Sequence, residues 1–154
     1  MRILVLGAGG TGGFFGGRAA QAGVDVTFLV RPARAALLRE KGLRIKTEQG
    51  TDVIEPKLAT ADALGGPYDV VIMSCKAYDL DGAIESIRPV MQQNPEAVVL
   101  PILNGMRHYD ALDAAFGKER VLGGLCHVMA TIGAEGEIVI MGPLGALIFG
   151  EQIG

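Results

Sequence analysis

Short apolar runs alternate with segments of helical spacing along most of the chain. Continuous apolar runs that end at glycine or at polar residues are typical of strands buried on both faces of a parallel sheet. We predict such strands at residues 3–6, 24–30, 69–74 and 97–103. The intervening and following segments predict helices at residues 11–22, 32–42, 80–91 and 106–116. Strands that alternate with helices imply right-handed crossovers and a largely parallel sheet.

The remaining segments predict further strands, the first of them by an alternation of apolar and polar residues. Residues 43–58 alternate around Gln49-Gly50 and predict a hairpin-like excursion. After Gly117, glycine-rich turns separate three further predicted strands, at residues 121–130, 137–141 and 146–149. The predicted fold class is α/β, a Rossmann-like, doubly wound, largely parallel sheet with antiparallel strands at the C-terminal edge. We expect residues 1–154 to form one domain.

Composition and charge narrow the class of protein. Apolar residues make up 49% of the 154 residues and charged residues 20%. This apolar content is sufficient to bury a core, so intrinsic disorder is excluded. The net charge of −3 is small and of the wrong sign for a nucleic-acid binder, whose surface is basic. We therefore expect no nucleic-acid partner.

The sequence has no secretory or membrane signature. The glycine-rich stretch at residues 3–17 contains an apolar run of only four residues. A signal peptide needs roughly 7–15 apolar residues, and a membrane span needs about 20. Cys75 and Cys126 are too few for a disulfide framework, and neither lies in a paired metal-ligand spacing. We expect a cytoplasmic protein with no membrane association and no metal site.

Glycine is unusually frequent: 23 of the 154 residues are glycine, which is roughly twice the average usage of about 7%. Six residues directly after the first predicted strand and at the opening of the first predicted helix match the pattern G-x-G-x-x-G: Gly7, Ala8, Gly9, Gly10, Thr11 and Gly12. In a dinucleotide-binding fold these glycines make a tight turn, admit a pyrophosphate and let the helix approach the strand. A plain glycine-rich turn is the alternative, but the position between strand and helix favours a dinucleotide site. No Gly-Lys-Ser/Thr follows, so a Walker-type loop is excluded.

The end of the second predicted strand indicates which dinucleotide binds. An NAD-binding protein places an acidic residue there to hold the ribose 2′-hydroxyl. Arg31 occupies that place, whereas Asp25 lies at the other end of the strand. Because a guanidinium can form paired hydrogen bonds with a 2′-phosphate, the sequence favours NADP(H). Arg34 is a second candidate for phosphate contact, with a solvated helix face as the alternative.

Two polar residues follow later strands, at the edge where open α/β sheets bind ligands. Lys76 follows the third predicted strand, and Asn104 follows the fourth. Both side chains can donate hydrogen bonds to an oxyanion, a carboxylate or a nicotinamide carboxamide. The alternatives are a solvated lysine and an asparagine helix N-cap. For His108, His127 and Cys75 a structural or solvated role is favoured over catalysis.

Together these motifs resemble the ketopantoate reductase (2-dehydropantoate 2-reductase) family. The likeness rests on residues 1–16, Val30-Arg31, Cys75-Lys76-Ala77-Tyr78 and Leu103-Asn104-Gly105-Met106. It extends over nearly the whole chain. The resemblance implies NADPH-dependent reduction of the keto group of 2-dehydropantoate to pantoate, on the route to pantothenate and coenzyme A.

The resemblance also implies roles for individual residues. The glycine loop would bind the cofactor, and Arg31 would bind the 2′-phosphate of NADP(H). Lys76 would lie near the nicotinamide and the substrate, and Asn104 would contact both cofactor and substrate. Ala130 would contact the cofactor through its backbone.

Family members carry a second, mostly helical domain that supplies a lysine as general acid and a glutamate that binds substrate. We therefore expect no catalytic residue within this chain, which would be the cofactor half of a reductase and inactive alone. Its expected partners are that C-terminal helical domain and a small 2-oxoacid substrate. The alternative is a stand-alone module that senses NADP(H) without catalysis. The sequence leaves open which 2-oxoacid is reduced and whether the chain forms a homo-oligomer.

Overall fold

The computed structural model describes residues 1–143 and 145–152. The strands are β1 Arg2–Leu6, β2 Asp25–Leu29, β3 Leu43–Thr47, β4 Gly50–Ile54, β5 Lys57–Ala59, β6 Val70–Met73, β7 Val98–Pro101, β8 Leu122–His127, β9 Ala130–Ile132, β10 Ile138–Ile140 and β11 Ala146–Glu151. The α-helices are α1 Gly10–Gln21, α2 Pro32–Lys41, α3 Leu80–Gln93 and α4 Arg107–Phe116. Single 3₁₀ turns lie at Ala77–Asp79 and Lys118–Arg120.

Five strands form a parallel sheet in the order β5-β2-β1-β6-β7. The chain runs outward from the central β1 through β2 to β5, and then returns to β6 on the other side of β1. This reversal creates a topological switch point, where ligands bind beyond the carboxyl ends of the strands. The predicted Rossmann-like fold is confirmed. The pattern did not separate β5 from the preceding excursion, although β5 extends the sheet beside β2.

The predicted hairpin is confirmed, and it belongs to a second sheet in the order β4-β3-β10-β9. Strands β3 and β4 pair antiparallel and place Thr47 opposite Gly50. Strand β10 joins β3 in parallel and β9 in antiparallel orientation. This second sheet brings the C-terminal part of the chain against α1, next to the glycine loop.

The C-terminal segment supplies the expected antiparallel strands. Strand β8 pairs antiparallel with β11 along six residue pairs, and Val121 forms a single parallel bridge to Val99 of β7. The prediction of one continuous strand over residues 121–130 is wrong. The chain leaves β8 after His127 and re-enters a different sheet at β9, because β8 and β9 pair with different strands.

The apolar side chains of the parallel sheet pack into two clusters, one on each face. Val5 and Phe28 lie in the first cluster with residues of the second sheet such as Ile45. Leu4 lies in the second cluster, where α3 and α4 contribute Ile87 and Leu112. Adjacent residues of β1 are thus buried on opposite faces, as its continuous apolar run predicts. Full burial of one such side chain stabilises the fold by about 1.5–3 kcal/mol.

Helix α1 lies unusually close to both sheets because its inward face consists of glycine. A Cβ on Gly16 would lie 2.7 Å from the Phe28 ring and 2.9 Å from Val5. A Cβ on Gly17 would lie 3.0 Å from Ile45. Each glycine destabilises the helix by about 1 kcal/mol relative to alanine. The close packing of apolar side chains against the glycine face offsets this cost.

Candidate dinucleotide site

A cleft of about 750 Å³ lies at the carboxyl ends of the central parallel strands. The segments after β1, β2 and β6 all contribute to its walls. Among the predicted site residues it is lined by Gly7, Ala8, Gly9, Arg31 and Lys76, together with Arg34. The structure therefore brings the glycine loop, the arginine pair and the strand-end lysine into one place.

The glycine loop has the geometry of a tight turn leading into a helix. Gly7 has φ +92°, which favours glycine, and its N–H donates a 2.9 Å hydrogen bond to the carbonyl of Leu29. Gly9 is the N-cap residue of α1 and is exposed. No atom lies within 4 Å of the position that a Cβ on Gly9 would take. The backbone is thus open to a ligand at the N-terminus of α1, where free N–H groups favour an anion.

The helix and the strand ends meet at Gly12 and Ser74. The Ser74 hydroxyl donates a 2.9 Å hydrogen bond to the carbonyl of Leu6. A Cβ on Gly12 would overlap Ser74 Oγ and lie 2.8 Å from the carbonyl oxygen of Gly7. This contact explains the third glycine of the motif. Ser74 also lines the cleft, and the only sequence signal for it was a polar residue ending an apolar run.

Helix α2 presents Arg31 and Arg34 differently. Arg31 is exposed and is the N-cap residue of α2, and Pro32 begins the helix. Arg34 is half-buried, and its guanidinium donates hydrogen bonds to the carbonyls of Ala8 and Gly136, at 2.8 and 2.9 Å. Burial, and secondarily the positive charge of Arg44, lowers the pKa of Arg34. Arg31 is thus available for an anionic ligand, whereas the guanidinium of Arg34 is already hydrogen-bonded to the protein backbone.

Lys76 is exposed at the cleft wall, immediately after Cys75. Its Nζ lies 5.9 Å from the centroid of the exposed Tyr78 ring, within the range of a weak cation–π contact.

Cys75 packs against the second apolar cluster. Burial, together with the negative charge of Asp79, raises the pKa of the Cys75 thiol. A protonated, half-buried thiol is a poor nucleophile, in agreement with the structural role expected for Cys75.

Asn104 and Ala130 lie outside the set of described residues that line the cleft. Asn104 is exposed in the bend between β7 and α4. The alternative of an asparagine N-cap is wrong, because Met106 is the N-cap residue of α4 and makes no side-chain cap hydrogen bond. Ala130 begins β9, and its carbonyl oxygen lies 3.1 Å from where a Cβ on Gly10 would stand. Ala130 thus adjoins the glycine loop, and Ile132 of the same strand reaches the cleft.

The two histidines do not belong to this cleft. His108 is 4% exposed, and burial lowers its pKa. Its ring packs against that of Tyr109 at 4.3 Å between centroids. His127 is exposed on β8. In the described part of the chain no three His, Cys, Asp or Glu side chains are grouped to hold a metal ion.

Comparison with known proteins decides the family. The sequence model described as ketopantoate reductase PanE/ApbA matches residues 3–153. The chain belongs to this family. The resemblance inferred from the motifs is confirmed.

Relatives of this PanE/ApbA chain carry the names of an uncharacterized oxidoreductase, a 2-dehydropantoate 2-reductase and a D-mandelate dehydrogenase. The uncharacterized oxidoreductase YkpB of Bacillus subtilis (strain 168) is 47% identical over 100% of this chain and 50% of its own length. The 2-dehydropantoate 2-reductase from Geobacter metallireducens GS-15 has a solved structure that is 30% identical, with a TM-score of 0.84, over 98% of this chain and 49% of its own. D-mandelate dehydrogenase with NADH and anilino(oxo)acetate shares the fold, at 23% identity and a TM-score of 0.87, over 97% of this chain and 48% of its own.

The chain spans about half the length of the relatives that it matches. In the part of the chain that the structure describes, every helix is too short or too polar to cross a bilayer.

Proposed function

We propose that this chain is the cofactor-binding part of an NADPH-dependent 2-oxoacid reductase, with 2-dehydropantoate as the substrate and pantoate as the product. The observation that carries the proposal is the single cleft that joins the glycine loop, Arg31 and Lys76. The residues present fit a dinucleotide. The open space at Gly9 and the N-terminus of α1 suit a pyrophosphate.

NADP(H) is favoured over NAD(H) because of the charges at the end of β2. Arg31 is exposed there and lines the cleft, and a guanidinium binds phosphate through paired hydrogen bonds. Asp25, at the opposite end of β2, forms ion pairs with Lys57 and Arg2 at 2.8 and 3.3 Å. As the first residue of β2, Asp25 cannot serve as the acidic residue at the end of the strand that holds a ribose 2′-hydroxyl.

NADPH would supply the hydride when bound, and the chain would supply hydrogen-bond donors around the hydride acceptor. Lys76 would donate to the nicotinamide carboxamide or to the substrate oxygen, and Asn104 would bind cofactor and substrate. Ala130 would contact the cofactor through its backbone, since β9 adjoins Gly10. We assign no proton donor within this chain.

The proposal requires a second domain as partner, corresponding to the half of the relatives' length that this chain does not match. Strands β8 and β11 present a solvent-facing apolar pair, Leu125 and Ile148, which lie opposite each other and are each 64% exposed. Phe149, the next residue of β11, points to the other face of the strand pair and is 61% exposed. The apolar surface formed by Leu125 and Ile148 favours packing against another domain. We propose that a helical domain covers it and supplies the general acid, in the reducing cytoplasm that the two free cysteines suit.

The test begins with binding of NADPH and NADH to this chain, measured by calorimetry. We expect NADPH to bind more tightly. Turnover of 2-dehydropantoate is then measured with this chain alone and with the helical half of a family member joined after residue 154. Activity only in the joined form would support the proposal. NADPH binding without turnover in either form would favour an NADP(H)-sensing module, and failure to bind either nucleotide would overturn both.

A further inference from the structure

We propose that Arg34 is a positioning residue that holds the glycine loop in shape for the cofactor pyrophosphate, rather than a ligand of the 2′-phosphate. That the ligand is a dinucleotide rests on the proposed function, whereas the contacts of Arg34 within the chain do not depend on that proposal. Sequence reasoning left Arg34 between phosphate contact and a solvated helix face, and its hydrogen bonds favour neither.

The guanidinium of Arg34 joins three separate segments. It lies on the first turn of α2, three residues after Arg31. Its Nη2 donates to the carbonyl of Ala8 in the glycine loop at 2.8 Å, and its Nη1 donates to the carbonyl of Gly136 at 2.9 Å. Gly136 lies in the turn between β9 and β10, after Ile132, which lines the cleft. Arg34 thus connects the glycine loop, the helix that follows Arg31 and the turn after the strand whose Ile132 lines the cleft.

The bond to Ala8 sets the orientation of the peptide that begins the helix. In a planar trans peptide the carbonyl and the following N–H point in opposite directions. Holding the Ala8 carbonyl toward Arg34 therefore directs the Gly9 N–H to the other side of the loop. The Gly9 carbonyl in turn accepts a 2.8 Å hydrogen bond from the Gly13 N–H. Arg34 thereby orients the peptide that leads into Gly9, the N-cap residue of α1.

Side-chain packing does not hold Gly9 in this orientation. No atom lies within 4 Å of where its Cβ would be, and glycine has a wide choice of backbone angles. The same open space that suits a pyrophosphate therefore provides no packing contact that would fix the Ala8–Gly9 peptide on that side. A hydrogen bond from outside the loop restricts rotation of that peptide, and Arg34 provides one.

A 2′-phosphate contact that turned the Arg34 guanidinium away from the loop would break this arrangement. Ala8 is only 3% exposed, so its carbonyl would lose a partner that water cannot readily replace if Arg34 turned away. Arg31 is exposed at the same wall of the cleft and can bind a phosphate without breaking such a bond. Arg34 therefore positions the glycine loop and Arg31 binds the 2′-phosphate, so NADPH and NADH should respond differently to substitutions at the two arginines.

Dissociation constants for NADPH and NADH distinguish the tasks, because both nucleotides carry the pyrophosphate and only one carries the 2′-phosphate. We expect Arg34→Gln to weaken binding of both by the same factor, roughly tenfold, as for one lost charged hydrogen bond. Arg34→Lys should recover part of the loss, since an ammonium can still reach one carbonyl. Arg31→Gln should weaken NADPH binding alone. Arg39→Gln, on an exposed position of α2, is the matched control and should change neither.

A second measurement needs no cofactor. In ¹H–¹⁵N spectra of the free chain, Arg34→Gln should shift the amide signal of Gly9 and speed its hydrogen exchange, while Arg39→Gln should not. A selective loss of NADPH binding in Arg34→Gln, or unchanged affinity for both nucleotides, would overturn the inference. If the wild-type chain bound neither nucleotide, the proposed function would fail, and an unchanged Gly9 signal would then overturn the role of Arg34 separately.

Discussion

The Ser74 hydroxyl donates a 2.9 Å hydrogen bond to the carbonyl of Leu6 and so ties together the ends of two neighbouring parallel strands. Its Oγ also occupies the place that a Cβ on Gly12 would need. The N-terminus of α1 therefore rests on the strand ends at a distance that only glycine allows. This contact sets the position of the helix amides that face the cleft.

We expect Gly12→Ala to destabilise the fold, although alanine favours helices. The new Cβ would overlap Ser74 Oγ and lie 2.8 Å from the Gly7 carbonyl oxygen. Overpacking of this kind costs about 1–3 kcal/mol, and the gain in helix propensity is at most about 1 kcal/mol. Urea unfolding followed by circular dichroism should show a net loss of roughly 1–2 kcal/mol in the free energy of unfolding.

Two further variants test whether the overlap is the cause. Adding Ser74→Ala to Gly12→Ala removes one of the two overlapping atoms and should recover part of the loss. Gly82→Ala in α3 is the control, because no atom lies within 4 Å of its Cβ position; its stability should be unchanged or higher. A Gly12→Ala chain as stable as the wild type would contradict the close approach.

Gly9→Ala should separate binding from stability. Gly9 has φ −81°, which alanine adopts without strain, and its Cβ position is empty. The free energy of unfolding should therefore change by less than about 0.5 kcal/mol. A methyl group would stand where the pyrophosphate approaches, so we expect the dissociation constants of NADPH and NADH to rise at least tenfold, on the order of 1.4 kcal/mol. Unchanged binding would place the pyrophosphate elsewhere.

The parts of the fold that sequence reasoning predicted correctly are local in origin. The run at residues 3–6 identifies β1 because both of its faces are buried. The position of the glycine pattern between that strand and α1 identifies the tight turn at Gly7, whose φ is +92°. Pro32 marks the start of α2, since proline is tolerated in the first turn. Each of these signals lies within a few residues of the feature that it predicts.

The parts that sequence reasoning missed depend on contacts between distant segments. Arg34 meets Gly136, 102 positions away, and no local pattern indicates that pairing. Strand β5 is three residues long and is defined by its place beside β2. The alternative of a helix cap at Asn104 is wrong, because α4 begins at Arg107 and Met106 is its N-cap residue. Whether Asn104 contacts a cofactor stays a prediction.

Arg31→Asp should reverse the preference between cofactors. Losing one charged hydrogen-bonding pair to phosphate costs roughly 1.5–3 kcal/mol, and a carboxylate at that place adds repulsion. We expect NADPH binding to weaken by about 10- to 100-fold or more, with little change for NADH. Titration calorimetry with both nucleotides measures the ratio directly. Arg39→Asp changes the net charge equally on the same helix, so it controls for long-range electrostatics. A variant that kept its preference for NADPH would remove Arg31 from the site.

The buried His108 should make stability depend on pH. Its pKa in the folded chain is lowered below the ordinary value of 6.5 because burial disfavours the charged ring. The unfolded chain therefore takes up the proton first as the pH falls. The stability that comes from the neutral ring is complete above about pH 7.5. It is lost progressively as the pH falls through 6.5, until the pKa of the folded chain is reached.

His108→Gln isolates this contribution, because glutamine does not titrate and the carboxylates remain the same in both chains. The free energy of unfolding, measured by urea denaturation at pH 8, 7, 6 and 5.5, should run parallel for the two chains at and above pH 7. Below pH 6.5 the wild-type value should fall more steeply, whatever constant offset the substitution causes. Parallel curves over the whole range would mean that His108 gains access to water or a hydrogen-bond partner when it is protonated, since a ring 4% exposed cannot otherwise accept the charge without cost.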